Sequence, residues 1–202
     1  MKPERIQPMK PILFSTQMVQ AILAGNKTMT RRIIKPQPLK YEYPLHYNGI
    51  SQDGTFHLLG NEFDGYTCFK SKYQPGDILW VRETWENFRG GYNYKADEYG
   101  LLGEQWKPSI FMPRVAARIF LEVTNVKAER LQDINQNDII QEGVCSGKKF
   151  MDELCIWRDS KYAIENLRIH TFKTLWESIN GKGSWELNPW VWVYSFNKLK
   201  EL

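Results

Sequence analysis

The chain has few residues that bind metals or form disulfides. It contains three cysteines and three histidines in 202 residues, and none of them stands at the spacing of a Cys-x-x-Cys or Cys-to-His zinc site. The cysteines Cys68, Cys145 and Cys155 are odd in number and far apart, which disfavours a disulfide framework. We therefore expect reduced thiols, no metal site and no cofactor.

Long apolar runs are also absent. No stretch approaches the roughly 20 apolar residues that a transmembrane helix needs. The first ten residues carry charges and prolines without the apolar segment of a signal peptide. We expect a cytoplasmic protein with no membrane partner. A chain of 202 residues can fill one core well, so a single domain over 1–202 is predicted.

Neither sign of charge dominates the chain, but basic residues cluster locally. The net charge is +4, which by itself does not identify nucleic acid as a partner. The segment ILAGNKTMTRRIIK, residues 22–35, nevertheless contains Lys27, Arg31, Arg32 and Lys35 and no acidic residue. This cluster, rather than the net charge, raises the question of an anionic ligand.

Apolar periodicity around this cluster predicts a strand, a helix and a second strand. PILF is a short apolar run, and Ser15 or Thr16 can cap a following helix that Gly25 ends. KTMTRRII is rich in β-branched residues and is therefore expected to be extended.

The rest of the core pattern is mostly β. ILWV at 78–81 predicts a buried strand, residues 117–124 alternate as in a half-buried strand, and PWVWVYSF predicts a central C-terminal strand with Trp192 in the core. DINQNDIIQEGV predicts a short helix stopped by Gly143. Glu142 in its last turn opposes the helix dipole, which indicates that another interaction favours this carboxylate.

Two polar and aromatic segments interrupt this core pattern. They cover about 36–72 and 87–111 and are rich in glycine turns and tyrosine. We interpret both as insertions, the first of them bearing hairpins.

The order of the core pieces resembles the ASCH family, small β-barrels of the PUA-like superfamily. The motifs that carry the resemblance are, in chain order, Gly25-x-Lys27-x-x-Thr30, Pro75-Gly76-Asp77 and Glu142-Gly143. The resemblance implies an α+β fold, with a small mixed β-barrel flanked by short helices. The two insertions are similar to those of the larger members found in bacteriophage and prophage genomes.

The resemblance also implies a chemistry. A small bacterial amidohydrolase of the family removes the acetyl group of acetylcytidine with a Lys, a Thr three residues later and a distant Glu. The matching residues here are Lys27, Thr30 and Glu142. Thr30 would supply the nucleophilic oxygen, Lys27 would ease removal of its proton, and Glu142 would orient Lys27. Burial or a neighbouring arginine would help by lowering the pKa of Lys27.

Binding of RNA without chemistry is an equal alternative, and a phage-associated structural or interaction protein is a third. The basic cluster would then neutralise phosphates, and an aromatic residue would stack on a base. A solvated basic edge strand is the plain structural interpretation. The residues predicted to contact RNA or a modified nucleoside are Arg31, Arg32, Arg82, Glu83, Trp106 and Arg114.

Overall fold

A computed structural model describes residues 9–38, 47–50, 55–59, 66–97, 105–144 and 161–200. These ranges contain both helices and strands, which confirms the predicted α+β class. The helices are α1 (Thr16–Leu23), α2 (Gln136–Gln141) and α3 (Lys161–Asn180). The strands are β1 (Lys10–Leu13), β2 (Met29–Ile33), β3 (Tyr47–Ile50), β4 (Thr55–Leu59), β5 (Tyr66–Lys70), β6 (Ile78–Arg82), β7 (Trp85–Phe88), β8 (Gly91–Tyr94), β9 (Phe120–Arg130) and β10 (Trp190–Lys198).

The main sheet has five strands in the order β1-β6-β9-β10-β2. The β1–β6 pair is parallel and the other three pairs are antiparallel. Within the described ranges this sheet is open, with β1 and β2 at its edges. β10 lies between β9 and β2, as its apolar residues on both faces predict.

The turn after α1 delivers the chain to β2. The Ser15 hydroxyl caps the start of the helix by accepting from the Met18 N–H at 3.4 Å. Gly25 adopts φ +76° at the other end, and the N–H groups of Asn26 and Lys27 both donate to the Ala21 carbonyl. Lys27 therefore belongs to the helix-ending turn and not to β2.

The five-stranded sheet buries both of its faces. One face carries Trp192, Tyr194 and Phe196 of β10 and packs against α1. The other carries Val191 and Val193 and packs against α2 and α3. Trp192 is 6% exposed, which confirms its predicted place in the core.

The two predicted insertions hold smaller β elements. β3, β4 and β5 form a separate antiparallel sheet inside 36–72, and the β7–β8 hairpin leads into 87–111. Residues 39–46, 51–54, 60–65 and 98–104 of these segments lie outside the described ranges. The insertion boundaries remain predictions.

None of the described helices combines the length and the apolar character that a bilayer-spanning helix requires.

Candidate functional site

Lys27 and Glu142 meet in the protein interior. The Lys27 ammonium donates to Glu142 Oε2 at 2.8 Å, which confirms the expected contact between these distant residues. It also donates to the backbone carbonyls of Met29 and Glu142, each at 2.8 Å. The Lys27 side chain is 0% exposed, so all three of its N–H groups are satisfied by protein atoms.

Gly143 allows the end of α2 to approach this pair. It adopts φ +77°, and a Cβ at this position would lie 2.8 Å from the Cβ atoms of both Ala21 and Lys27. Only glycine therefore fits between the end of α2 and the turn after α1. The Glu142-Gly143 motif thus has a physical basis, because the glycine makes room for the contact that the glutamate forms.

Arg31 is the second buried cation of the site. Its guanidinium contacts Glu142 Oε1 at 3.2 Å, Glu129 Oε1 at 2.5 Å and Asp138 Oδ2 at 2.5 Å. Its side chain is 1% exposed. Burial acts to lower the pKa of Arg31, but the neighbouring carboxylates outweigh it and the net pKa is raised. A solvated basic edge does not describe this residue.

The environment of Lys27 makes its proton easier to remove than that of a lysine in water. Burial is the largest effect and lowers the pKa of Lys27 below its ordinary value of 10.5. Glu142 opposes this shift, while Arg32 and Arg31 add to it. The net lowering is the direction that a general base needs.

Thr30 lies on the wall of a cleft beside β2. The cleft encloses about 50 Å³, and Thr30 is itself buried. Since all three Lys27 N–H groups donate to other atoms, Lys27 makes no hydrogen bond to Thr30 in this structure. The residues that line the cleft come from α1, β2 and α3 and are Met18, Thr30, Arg31, Arg32, Ile33, Phe172, Leu175, Trp176, Ile179 and Asn180.

Arg32 links the cleft to the buried lysine. Its Nη2 donates to the Leu13 carbonyl at 2.6 Å, and its guanidinium lies 5.4 Å from the Phe14 ring centroid. Lys27 Nζ lies 5.6 Å from the same ring. Burial lowers the pKa of Arg32. Arg32 is half-buried, and it therefore remains available to a ligand in the cleft.

Arg82 and Glu83, at the mouth of β6, have partners in another part of the molecule. Arg82 donates to the Ile110 carbonyl and lies 5.4 Å from the Trp80 ring centroid. The buried Glu83 carboxylate accepts two bonds from Arg118, at 2.9 and 3.0 Å. Burial raises the pKa of Glu83 although Arg118 opposes this shift.

The last two predicted contact residues lie in the segment 105–118. Arg114 is exposed and its Nη2 approaches Met9 Sδ at 3.3 Å, whereas Trp106 is half-buried. The described contacts of Arg82, Glu83 and Arg114 do not include Lys27, Thr30 or Glu142. The structure thus brings Arg31 and Lys27 together at Glu142 and places Thr30, Arg31 and Arg32 on the cleft. Lys27 and Glu142 are not among the residues that line the cleft, and Arg82, Glu83 and Arg114 make their contacts elsewhere.

Three residues near the site were missed by sequence reasoning. Asp138 lies one helical turn before Glu142, so the i, i+4 spacing of two carboxylates was an available signal. Glu129 of β9 reaches Arg31 only through the strand order of the sheet. Trp176 of α3 lines the cleft, but its sequence spacing indicates only an amphipathic helix.

Comparison with protein-family models, curated proteins and solved structures finds no match for this chain. The resemblance to the ASCH family therefore rests on the three motifs alone. In the described part of the chain, no three residues among His, Cys, Asp and Glu are grouped so that they could hold a metal ion.

Proposed function

We propose that this chain is a PUA-like ASCH protein that hydrolyses the acetyl amide of a modified cytidine in the cleft beside β2. The observation that supports this most is the position of Thr30. It lines the cleft three residues after a fully buried lysine, Lys27, whose pKa is lowered and whose partner is Glu142. A hydroxyl nucleophile that passes its proton to a lysine of lowered pKa is a chemically reasonable pair for nucleophilic catalysis.

The first half of the proposed reaction forms an acyl-enzyme. Thr30 Oγ1 attacks the acetyl carbonyl carbon while its proton passes to neutral Lys27. The carbon–nitrogen bond then breaks, and Lys27 returns the proton to the departing N4 nitrogen, so that cytidine leaves. Neutral Lys27 has one N–H fewer than the ammonium and carries a lone pair in its place, which is the acceptor that this proton transfer requires.

The second half restores the enzyme. A water attacks the acetyl ester of Thr30, and Lys27 accepts the water proton as the carbon–oxygen bond forms. Cleavage of the ester returns that proton to Thr30 Oγ1 and releases acetic acid, which gives up its remaining proton to water as acetate. Glu142 holds Lys27 in place through both halves, because its carboxylate and its carbonyl each accept an N–H of the lysine.

Binding of RNA or a nucleotide without chemistry is the second candidate. The observation that favours it is the complete set of Lys27 hydrogen bonds to protein atoms, which is what a charged lysine with a purely structural role needs. In that case Arg32, at the cleft, supplies the contact to the ligand.

Hydrolysis of acetylcytidine, followed by chromatography, tests the proposal. We expect Thr30→Ala and Lys27→Met each to reduce kcat/KM by about 100-fold or more. Glu142→Gln should act in the same direction by disturbing Lys27. Thr28→Ala is the matched control, since it removes a neighbouring hydroxyl outside the proposed machinery, and we expect it to retain activity.

The result distinguishes the two candidates. Full activity of Thr30→Ala would overturn its role as nucleophile. Binding of the nucleoside without turnover by the wild-type protein would replace the hydrolase by the second candidate.

A further inference from the structure

Three large apolar side chains project into solvent from one short segment of the chain. Ile110 is 57% exposed, Phe111 is 69% exposed and Val115 is 77% exposed. They lie in two 3₁₀ turns, Ser109–Phe111 and Arg114–Ala116, which together we call the apolar turn. Five residues of chain span at most about 18 Å, so the three side chains form one small patch. Single exposed apolar residues are ordinary, but a cluster of this kind indicates a binding surface.

Contacts with the rest of the protein hold the apolar turn in place. Met112 and Ala116 are each 1% exposed and anchor its inner side. The Ile110 carbonyl accepts from Arg82, and the Ala116 carbonyl accepts from the Tyr94 hydroxyl at 2.7 Å. The exposed side chains are therefore carried by a fixed backbone, and binding through them orders little additional chain.

Positive charge surrounds the apolar turn. Residues 105–121 contain Lys107, Arg114 and Arg118 and no acidic residue. Arg118 already contacts two carboxylates, whereas Lys107 and Arg114 are exposed. The patch is thus apolar with a cationic border, and the complementary partner is apolar with anionic groups.

We propose that the apolar turn binds the surface of a lipid bilayer that contains anionic lipid. Ile110, Phe111 and Val115 enter the boundary between headgroups and acyl chains, while Lys107 and Arg114 contact the headgroup phosphates. The net charge of +4 favours approach to such a surface. The expectation of no membrane partner rests on the absence of a long apolar run, which this mode of binding does not need.

The shape of the patch favours a bilayer over the other possible partners. Each of the three side chains is more than half exposed, so the apolar turn is a protrusion and not a groove. A bilayer accepts a protrusion of any outline, whereas a stable protein interface needs a matching surface of roughly 20–30 residues on each side. Bases stack on aromatic rings, and only Phe111 among the three is aromatic. A symmetric contact with a second copy would bring the same cations face to face.

Flotation of the full chain with lipid vesicles tests the proposal. The vesicles contain two parts phosphatidylcholine to one part phosphatidylserine, and pure phosphatidylcholine vesicles are the reference. We expect binding to the mixed vesicles that falls with added salt, and weaker binding to the reference. Phe111→Ser should weaken binding about 10-fold, and Lys107→Gln and Arg114→Gln about 5-fold each. Phe111→Trp should bind at least as tightly as the wild-type protein, because Trp favours the membrane interface.

Leu187→Ser and Lys182→Gln are the matched controls. Leu187 is 73% exposed and Lys182 is also exposed, but neither belongs to the apolar turn. We expect both variants to bind vesicles as the wild-type protein does. Circular dichroism checks that every variant is folded, and should Phe111→Ser not fold, Phe111→Trp and the two charge variants decide.

Every outcome supports or overturns the inference. Lack of flotation with the mixed vesicles overturns it, and so does flotation that Phe111→Ser leaves unchanged, since adsorption is then due to charge alone. Sedimentation without lipid that shows self-association lost in Phe111→Ser assigns the patch to a second copy and overturns it. Binding of single-stranded RNA through Phe111 without flotation overturns it as well. None of these results bears on the hydrolase, because the apolar turn contains neither Lys27, Thr30 nor Glu142.

Discussion

Lys27 shows how the interactions that fix a buried residue also shift its pKa. Its ammonium connects the turn after α1, the first residue of β2 and the end of α2 through three hydrogen bonds. Burying a charge is costly unless it is paired and hydrogen-bonded, and here both conditions are met. The same burial lowers the pKa of Lys27, which is the direction that the proposed proton transfer needs.

The lowered pKa of Lys27 predicts a pH dependence of stability. Unfolded Lys27 titrates near its ordinary value of 10.5 and folded Lys27 titrates below it. Between these two values the unfolded chain binds more protons, so stability rises with pH. Below the folded value both states are protonated, and above 10.5 neither is, so the contribution is constant there.

Urea denaturation of the wild-type protein and Lys27→Met measures this contribution. Between about pH 8 and 10.5 we expect the free energy of unfolding of the wild-type protein to increase relative to that of Lys27→Met. The comparison removes the contribution of tyrosine titration to stability, because burial raises the pKa of Tyr73 to about 12 in both proteins alike. A difference that does not change over this range would contradict the lowered pKa.

At the scale of the elements, the close approach of α2 to the turn after α1 builds the site. Gly143 ends α2 with a positive φ, as a glycine after a helix commonly does. Gly143 also lacks a Cβ, and the space that a Cβ would fill is occupied by Ala21 and Lys27. The helix end therefore places Glu142 against Lys27 and Arg31, which explains a carboxylate in a position that the helix dipole disfavours.

Gly143→Ala tests this approach, with Gly181→Ala as its matched control. Gly181 follows α3 with φ +96°, but a Cβ there has nothing within 4 Å. Backbone strain alone should cost about 1–2 kcal/mol in Gly181→Ala. In Gly143→Ala the clash adds about 1–3 kcal/mol. Denaturant titration of both variants gives the comparison, and equal losses would show that the close approach does not matter.

At the scale of the whole molecule, β10 joins the two apolar clusters. It is hydrogen-bonded on both sides, and its side chains alternate between the cluster on α1 and the cluster on α2 and α3. A residue in this strand therefore supports the whole sheet. The β2 edge, with Thr30 paired to Tyr194, takes its position from the same strand.

Trp192→Ala should therefore destabilise the protein by about 3–5 kcal/mol, because it removes a large buried ring from the core. Leu187→Ala is the control, since Leu187 is 73% exposed and should change the free energy of unfolding by no more than about 0.5 kcal/mol. Guanidinium titration of the two variants measures both values. A loss below about 1 kcal/mol for Trp192→Ala would contradict its role in the core.

Short-range patterns in the sequence were enough to predict the elements themselves. The cap at Ser15, the stop at Gly25 and the buried run of β6 depend on neighbouring residues, and the structure contains all three. The alternation at 117–124 predicted β9, although the strand is longer and spans Phe120–Arg130. The contact of Lys27 with Glu142 was expected from the motifs, because a resemblance carries long-range information that periodicity lacks.

Tertiary structure alone decided how the basic cluster is used. Arg31 and Arg32 are adjacent in sequence, yet the Arg31 guanidinium is buried among three carboxylates, whereas that of Arg32 donates to the Leu13 carbonyl beside the Phe14 ring. Successive residues of a strand point to opposite faces, and the strand order decides what each face meets. Glu129 and Glu142 lie 98 and 111 residues from Arg31 along the chain. No local pattern of charge reveals such contacts. The pairing of β2 with β10 and of β10 with β9 brings Glu129 to Arg31, and the approach of α2 to the turn after α1 brings Glu142.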